Sequence, residues 1–323
     1  MLIYIALLIV GIVLLAWSAE RFIAGAVGMA HHFRIAPLII GLTIVALGTS
    51  APEIFISIMS VTQGNPGLAI GNALGSNIAN IGLVLGVAAL CRPMQVHSTT
   101  LRREYPILFL IMLITWGLLL DGSLDPIDGI ILLICLIGFF IWLVWLATRK
   151  VTPQDPLRQE FERELQHTLP IKSAIAFFIL GLILLPISSH ILVFSAVNIA
   201  SQLGVSDVVI GLTIVAIGTS LPEMAASLIG SLKGEHDLAI GNILGSNMFN
   251  LLAVLAIPGL LQSVPLASSV LSRDMPIMFG LTIVLFLVAY GFRGPGCINR
   301  WEGALLLTCY GAYLTWIVIA AIH

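Results

Sequence analysis

The chain has 323 residues, of which 59% are hydrophobic and only 9% charged, with a formal net charge of -2. Soluble domains carry about 25% charged residues, so this composition excludes a water-facing surface over most of the chain. The weak net charge and the lack of a basic patch exclude a nucleic-acid interface.

Taken in chain order, the first apolar run, Leu2–Trp17, has no basic n-region and is followed by equally apolar sequence. It reads as a retained first span, not a cleaved leader. Apolar runs between polar breaks give ten candidate helical spans, near residues 2–30, 36–61, 68–90, 105–120, 127–147, 172–198, 208–231, 238–261, 275–292 and 302–321. Most are close to the roughly 20 residues that cross a bilayer. Glu20 and Arg21 lie within the first span, which predicts a tilted or interrupted helix there. Residues 149–171 form a polar linker, whose DPLRQEFEREL stretch suits a short solvated helix. Cys91, Cys135, Cys297 and Cys309 are scattered, with no CxxC pairing, and read as small hydrophobes.

The main internal signal is a repeat. GLTIVALGTSAPE at 41–53 and GLTIVAIGTSLPE at 211–223 agree at 11 of 13 positions, and LAIGNALGSNIAN at 68–80 and LAIGNILGSNMFN at 238–250 agree at 10 of 13. Both pairs are offset by 170 residues, and the same offset aligns Ile5–Ala30 with Ile175–Ala200 and Arg103, Glu104 and Pro106 with Arg273, Asp274 and Pro276. Chance apolar similarity does not hold one register so far. The expected fold is therefore an all-α membrane protein of ten transmembrane helices in two five-helix repeats: 1–148, the cytoplasmic linker 149–171, and 172–323. Five spans per half force the second repeat to insert upside down. Of the 14 Lys and Arg residues, only Arg273 falls in the loops on one side of such a plan. Cytoplasmic loops collect Lys and Arg, so both termini are expected on the non-cytoplasmic side of the cell's inner membrane.

Glu53 and Glu223 are the two carboxylates read as lying deep in spans. An ionisable group at a helix centre costs on the order of 2.5–3.5 kcal/mol on insertion scales and points to function. Thr49 and Ser50 precede Glu53 by four and three residues, on the same helix face, and Ala46 lies seven residues before it; Thr219, Ser220 and Ala216 repeat this before Glu223. Pro52 and Pro222 lack an N–H, so the carbonyls of Gly48 and Gly218 are expected to be freed. Ser76 and Asn80, and their counterparts Ser246 and Asn250, add polar oxygens at i,i+4 spacing. Gly71 with Gly75 and Gly241 with Gly245 have the GxxxG spacing that permits close helix approach. Asn72, Asn77, Asn242 and Asn247 read as interhelical hydrogen-bonding groups. His190 lies inside the sixth span and reads as an interfacial or interhelical histidine.

Every candidate ligand is an oxygen, which disfavours zinc and copper and suits calcium, a taker of 6–8 oxygens in flexible geometry. Two carboxylates balance one calcium ion or the sodium ions that replace it. The paired GTSAPE/GNALGSN and GTSLPE/GNILGSN motifs resemble the α1 and α2 repeats of the cation–calcium exchanger superfamily, in particular the bacterial YrbG-like sodium/calcium exchangers. The resemblance covers essentially the whole chain. It implies an antiporter, not an enzyme, without cofactor, whose first and sixth spans slide as gating helices over an eight-helix core. It further implies that Glu53, Glu223, the hydroxyls of Thr49, Ser50, Thr219 and Ser220, the carbonyls of Ala46 and Ala216, and Ser76, Asn80, Ser246 and Asn250 hold calcium and sodium. Some members carry an acid where this chain has Asn250, and the proton-coupled branch carries a glutamate in its GN motif, which GNALGSN and GNILGSN lack. Sodium is therefore the expected coupling ion. A cation/proton antiporter is the alternative; a passive channel and an intramembrane enzyme are weaker rivals, the last having no nucleophile–base pair to accompany the carboxylates.

Overall fold

The computed structural model describes residues 1–33, 35–96, 98–148, 169–204, 216–290 and 296–322. In chain order the helices are α1 (Leu2–Phe33), α2 (Pro37–Thr49), α3 (Ala51–Thr62), α4 (Pro66–Cys91), α5 (Ser98–Leu119) and α6 (Pro126–Thr148). They continue as α7 (Ile171–Gln202), α8 (Ala216–Thr219), α9 (Leu221–Lys233), α10 (His236–Leu261), α11 (Val270–Ala289) and α12 (Arg300–Ile322). Seven of these, α1, α4, α6, α7, α10, α11 and α12, are long and apolar enough to cross a membrane, and the α2–α3 pair, bent by 41°, makes an eighth. The apolar part of α5, Glu104–Leu119, is shorter, and the seventh expected span begins in residues 205–215, outside the described residues. The DPLRQEFEREL stretch lies outside them too.

Two short strand pairs were not anticipated. β1 (Met94–Val96) pairs antiparallel with β4 (Gly296–Ile298), and β2 (Ser123–Leu124) with β3 (Val264–Pro265). The 170-residue offset carries β1 onto β3, so each strand that follows a central helix pairs with a turn of the other repeat. Segments of three residues or fewer carry too little period-2 pattern to be read from sequence; their extended form comes from the partner's backbone.

α1 and α7 pack antiparallel along their length. A Cβ at Gly25 would sit 2.4 Å from the Phe178 nitrogen, one at Gly181 2.4 Å from Phe22 Cβ, and one at Gly11 2.8 Å from Leu192 Cγ. The offset converts Gly11 into Gly181 and Phe22 into Leu192, so the last two contacts are one contact made twice, in opposite directions. The Phe22 and Phe178 rings stack at 4.8 Å. Of the two expectations for Glu20 and Arg21, the interruption is not met: α1 runs unbroken for 32 residues. Both charges lie on the helix surface: Glu20 accepts a 3.1 Å bond from Lys233, and Arg21 rests over the Trp17 and Phe177 rings.

α4 and α10 are mostly buried, whereas α1, α6 and α12 turn most of their apolar surface outward. Gly241 and Gly245 bring α10 against α2, where added Cβ atoms would lie 2.5 Å from the Leu38 carbonyl oxygen and 2.7 Å from Ala46 Cβ. The equivalent Gly71 and Gly75 meet no described neighbour within 4 Å. Under the repeat offset their counterpart contacts would come from residues 208–216, nearly all outside the described set.

This packing makes a direct prediction. Gly25→Ala should lower thermal stability in detergent by about 1–3 kcal/mol through overpacking. Gly138→Ala, where nothing lies within 4 Å, should be neutral or stabilising. Melting curves of the two purified variants check the contrast.

Candidate functional site

Pro52 and Pro222 end one helix and start the next. The residues two positions earlier, Ser50 (φ -83°, ψ 5°) and Ser220 (φ -88°, ψ 6°), leave the helical region, and each proline occupies the first turn of the helix that follows. A proline cannot supply the amide that a continuous helix needs, but it suits a helix start. Glu53 and Glu223 therefore fall in the first turns of α3 and α9, where the helix dipole favours negative charge.

Both carboxylates are fully buried, at 0% exposure, and close enough for their charges to interact. Ser50 Oγ donates across the repeat boundary to Glu223 Oε1 at 3.0 Å, and Ser76 Oγ donates to Glu53 Oε1 at 3.5 Å. The second carboxylate oxygen of each glutamate has no partner, and neither do Ser220 Oγ, Asn80 Oδ1 or either amide atom of Asn250. Buried polar atoms are normally satisfied; all of these except the donor Asn250 Nδ2 can accept, so the set is rich in unused acceptor oxygens.

Two further features bear on Asn80 and Asn250. Each opens a stretch of π-helix, Asn80–Leu85 and Asn250–Val254, a geometry that clusters at functional sites. The sequence carries no signal for it, because the wider turn is set by what packs against it. Asn80 Nδ2 donates to Asn247 Oδ1 at 3.0 Å, whereas its counterpart Asn250 makes no bond.

Thr49, Ser50, Ser76, Ser220, Ser246, Asn80 and Asn250 are thus all buried; Ser50 and Ser76 are bonded to the glutamates, and Thr49 lies 3.4 Å from Ser246. Thr219 adjoins Ser220 and is partly exposed, and Ala216 opens α8. The Ala46 carbonyl accepts the Ser50 amide at 2.9 Å, and the Thr49 hydroxyl lies 3.3 Å from it as an alternative donor. The expectation of a freed Gly218 carbonyl needs correction: Ser189 on α7 donates to it at 2.7 Å. The proline removed the intrahelical donor, and the neighbouring helix supplied another. His190, beside Ser189, points outward and is exposed.

The asparagines behave mostly as expected. Asn242 bridges Thr49 and Ser227, Asn247 accepts from Asn80, and Asn77 reaches Met278 Sδ at 3.5 Å. Asn72 Nδ2 has no partner. Burial of carboxylates is wider than expected: Glu104, Asp128, Asp237 and Asp274 are also buried. Asp274 differs from the central pair in being neutralised, accepting Arg273 Nε at 2.7 Å and Tyr313 Oη at 3.0 Å. Among the described residues no group of three His, Cys, Asp or Glu side chains converges, so neutral oxygens outnumber charged ones around Glu53 and Glu223. Ser189 and Ser227 were missed because neither lies in a repeated motif.

Comparison with known proteins agrees with this geometry. Residues 3–146 and 173–319 match the family described as sodium/calcium exchanger protein. The chain is 47% identical to the putative antiporter CaxA of Alkalimonas amylolytica, over 97% of this chain and 98% of that one. It is 39% identical to the inner membrane protein YrbG of Escherichia coli, over 99% and 97% of the two chains. A solved structure of the sodium-calcium exchanger NCX_Mj, soaked with sodium and strontium, superposes with a TM-score of 0.82 at 30% identity, covering 97% of this chain and 98% of that one.

The site itself yields a prediction independent of transport. Two buried carboxylates with no counter-charge among the described residues destabilise the cation-free protein, so Glu223→Gln should raise its melting temperature in chelator, by about 2–4 °C for each kcal/mol of repulsion relieved. Added calcium or sodium should then stabilise the wild type and not the variant. Melting curves with and without cations measure both effects.

Proposed function

The chain belongs to the sodium/calcium exchanger protein family, and from that premise we propose that it is a secondary active antiporter exchanging calcium for sodium by alternating access at a midplane site built from both repeats. The observation that carries this reading is the pair of fully buried glutamates, one from each repeat, each with an oxygen lacking any partner. The membrane character and the antiporter class follow from the family; the identity of the coupled ions is the reading offered here.

In this reading Glu53 and Glu223 bind calcium directly, and the hydroxyls of Thr49, Ser50, Thr219, Ser220, Ser76 and Ser246, the carbonyls of Ala46 and Ala216, and the amide oxygens of Asn80 and Asn250 fill out the 6–8 oxygens calcium takes. The same oxygens serve sodium, and competition for them couples the two fluxes. Two negative charges match one calcium ion, so the occupied site crosses the apolar barrier neutral. An unpaired charged site is held back, because burying net charge in a low-dielectric medium is costly. With Asn250 in place of an acid the site has no third charge to hold a further cation.

The same reading assigns ten spans in two inverted repeats, 1–148 and 172–323, joined by a cytoplasmic linker at 149–171, with both termini outside the cytoplasm. The antiparallel α1–α7 pair, with its contact made twice in opposite directions, and the crossed pairing of β1 with β4 and β3 with β2 support it. Inverted repeats with a midplane site are a common transporter plan. α1 and α7 act as the gating helices, with lipid on their outer faces.

Calcium uptake into inside-out vesicles tests the coupling: an outward-directed sodium gradient from the lumen should drive uptake, and a pH gradient alone should not. Uptake driven only by the pH gradient would establish the proton-coupled alternative, and uptake without counterflow would establish a channel. Glu53→Gln and Glu223→Gln should each reduce exchange at least about 100-fold, the scale of losing a charge-assisted contact worth about 3 kcal/mol, while inserting and purifying normally. Single cysteines placed near residues 2 and 322 should react with an impermeant reagent from the periplasmic side only.

A further inference from the structure

A hydroxyl has one proton and two lone pairs. To serve as a cation ligand it must turn a lone pair toward the ion and send its proton elsewhere, since a proton facing the ion repels it. Thr49 is fully buried, and the destination of its proton is therefore set by the protein alone.

Three acceptors lie within 3.5 Å of Thr49 Oγ1: Asn242 Oδ1 at 3.0 Å, the Ala46 carbonyl at 3.3 Å and Ser246 Oγ at 3.4 Å. The Ala46 carbonyl already holds the Ser50 amide, and the Asn242 contact is the shortest. Asn242 is itself held: its Nδ2 donates to Ser227 Oγ at 3.0 Å, which directs Oδ1 at Thr49. Asn242 and Ser227 are both buried, at 1% and 0% exposure. Helical spacing explains the assembly. Asn242 precedes Ser246 by four residues on α10, and Ser227 follows Glu223 by four on α9, so each stands one turn from a residue of the site. The relay Thr49–Asn242–Ser227 thus ties α2 of the first repeat to two helices of the second.

Duplication supplies an internal control. The offset maps Asn242 onto Asn72 and Ser227 onto Ser57. There the bond is missing: Asn72 Nδ2 has no partner, and Ser57 Oγ donates to the Val254 carbonyl at 2.9 Å. The first-repeat copy of this asparagine packs without the relay, so packing the motif does not require it.

We propose that Asn242 is a positioning residue that takes the Thr49 proton, so that the Thr49 oxygen faces the transported cation as an acceptor. The proposal rests on the ion-exchange reading above. It assigns the first asparagine of the second GN motif a role in affinity, transmitted entirely through Thr49.

A double-mutant cycle on the purified full-length protein tests it, reading equilibrium binding of radiolabelled calcium and, in vesicles, the half-saturating calcium concentration against maximal exchange rate. Thr49→Val and Asn242→Ala should each weaken calcium binding about tenfold, the effect of losing one hydrogen bond of roughly 1.4 kcal/mol. Both should raise the half-saturating concentration more than they lower the maximal rate. The double variant should be no weaker than either single one, because residues that act through one contact are not additive. Ser227→Ala, which leaves the amide in place but unanchored, should shift affinity in the same direction and to a smaller extent, and serves the cycle if Asn242→Ala does not purify as a monodisperse protein. Effects that multiply, to about a hundredfold in the double variant, would assign Asn242 a purely structural role and overturn the proposal. So would calcium affinity unchanged by Asn242→Ala or, failing that variant, by Ser227→Ala. A wild-type protein that binds no calcium would overturn the exchange reading itself, and this inference with it.

Discussion

Two glutamates held at 0% exposure, with their charges interacting and, among the described residues, no cationic side chain bonded to either, constrain everything around them. In a medium of low dielectric an uncompensated carboxylate is among the most costly groups a protein can bury. Asp274 shows the ordinary solution, a guanidinium at 2.7 Å and a phenol at 3.0 Å. Glu53 and Glu223 have only hydroxyls, which soften the cost without cancelling the charge. On the exchange reading proposed above, a bound cation supplies the compensation, and ion occupancy and stability become two aspects of one electrostatic balance.

Placing those carboxylates requires broken helices. A continuous helix directs its backbone dipoles along the whole span and leaves its middle featureless. The Ser50–Pro52 and Ser220–Pro222 breaks instead create helix starts at the depth where Glu53 and Glu223 sit. The π-helical stretches beginning at Asn80 and Asn250 instead widen a turn of α4 and of α10 within continuous helices. Irregular backbone at membrane depth survives only where protein or a wet cavity covers it, and the close approach of α10 to α2 at Gly241 and Gly245 provides that cover on one side.

Duplication makes the two halves alike in sequence without making them identical in contact. Ser189 on α7 bonds the Gly218 carbonyl, yet the position equivalent to Ser189 in the first repeat is Ala19, which has no donor. Asn242 is bridged where Asn72 is not, and Asn80 is paired where Asn250 is not. On the exchange reading proposed above, a site that opens to alternate faces needs such inequality at any instant. The bond from Ser189 also couples α7, a helix with an exposed apolar face, directly to the backbone break beside Glu223.

The sequence by itself determined the membrane class, the register of the repeat and the two central glutamates, because each rests on local or self-referential facts: composition, a 170-residue offset, and a carboxylate followed through an apolar span. It also pointed to Thr49 and Ser50 and their counterparts, since helical spacing fixes which side chains share a face with Glu53, and to Ser76, four residues before Asn80 in the second repeated motif. The tertiary structure alone decided which partner each of them meets. That Ser50 crosses to Glu223, that Thr49 reaches Asn242 and that Gly218 finds Ser189 are contacts between residues 173, 193 and 29 positions apart. Such distances are set by how whole helices slide and turn against one another, and no local pattern of residues encodes that. The unbroken α1 teaches the same point: Glu20 and Arg21 looked disruptive in isolation, and Lys233, Trp17 and Phe177 accommodate them only once the helices have packed.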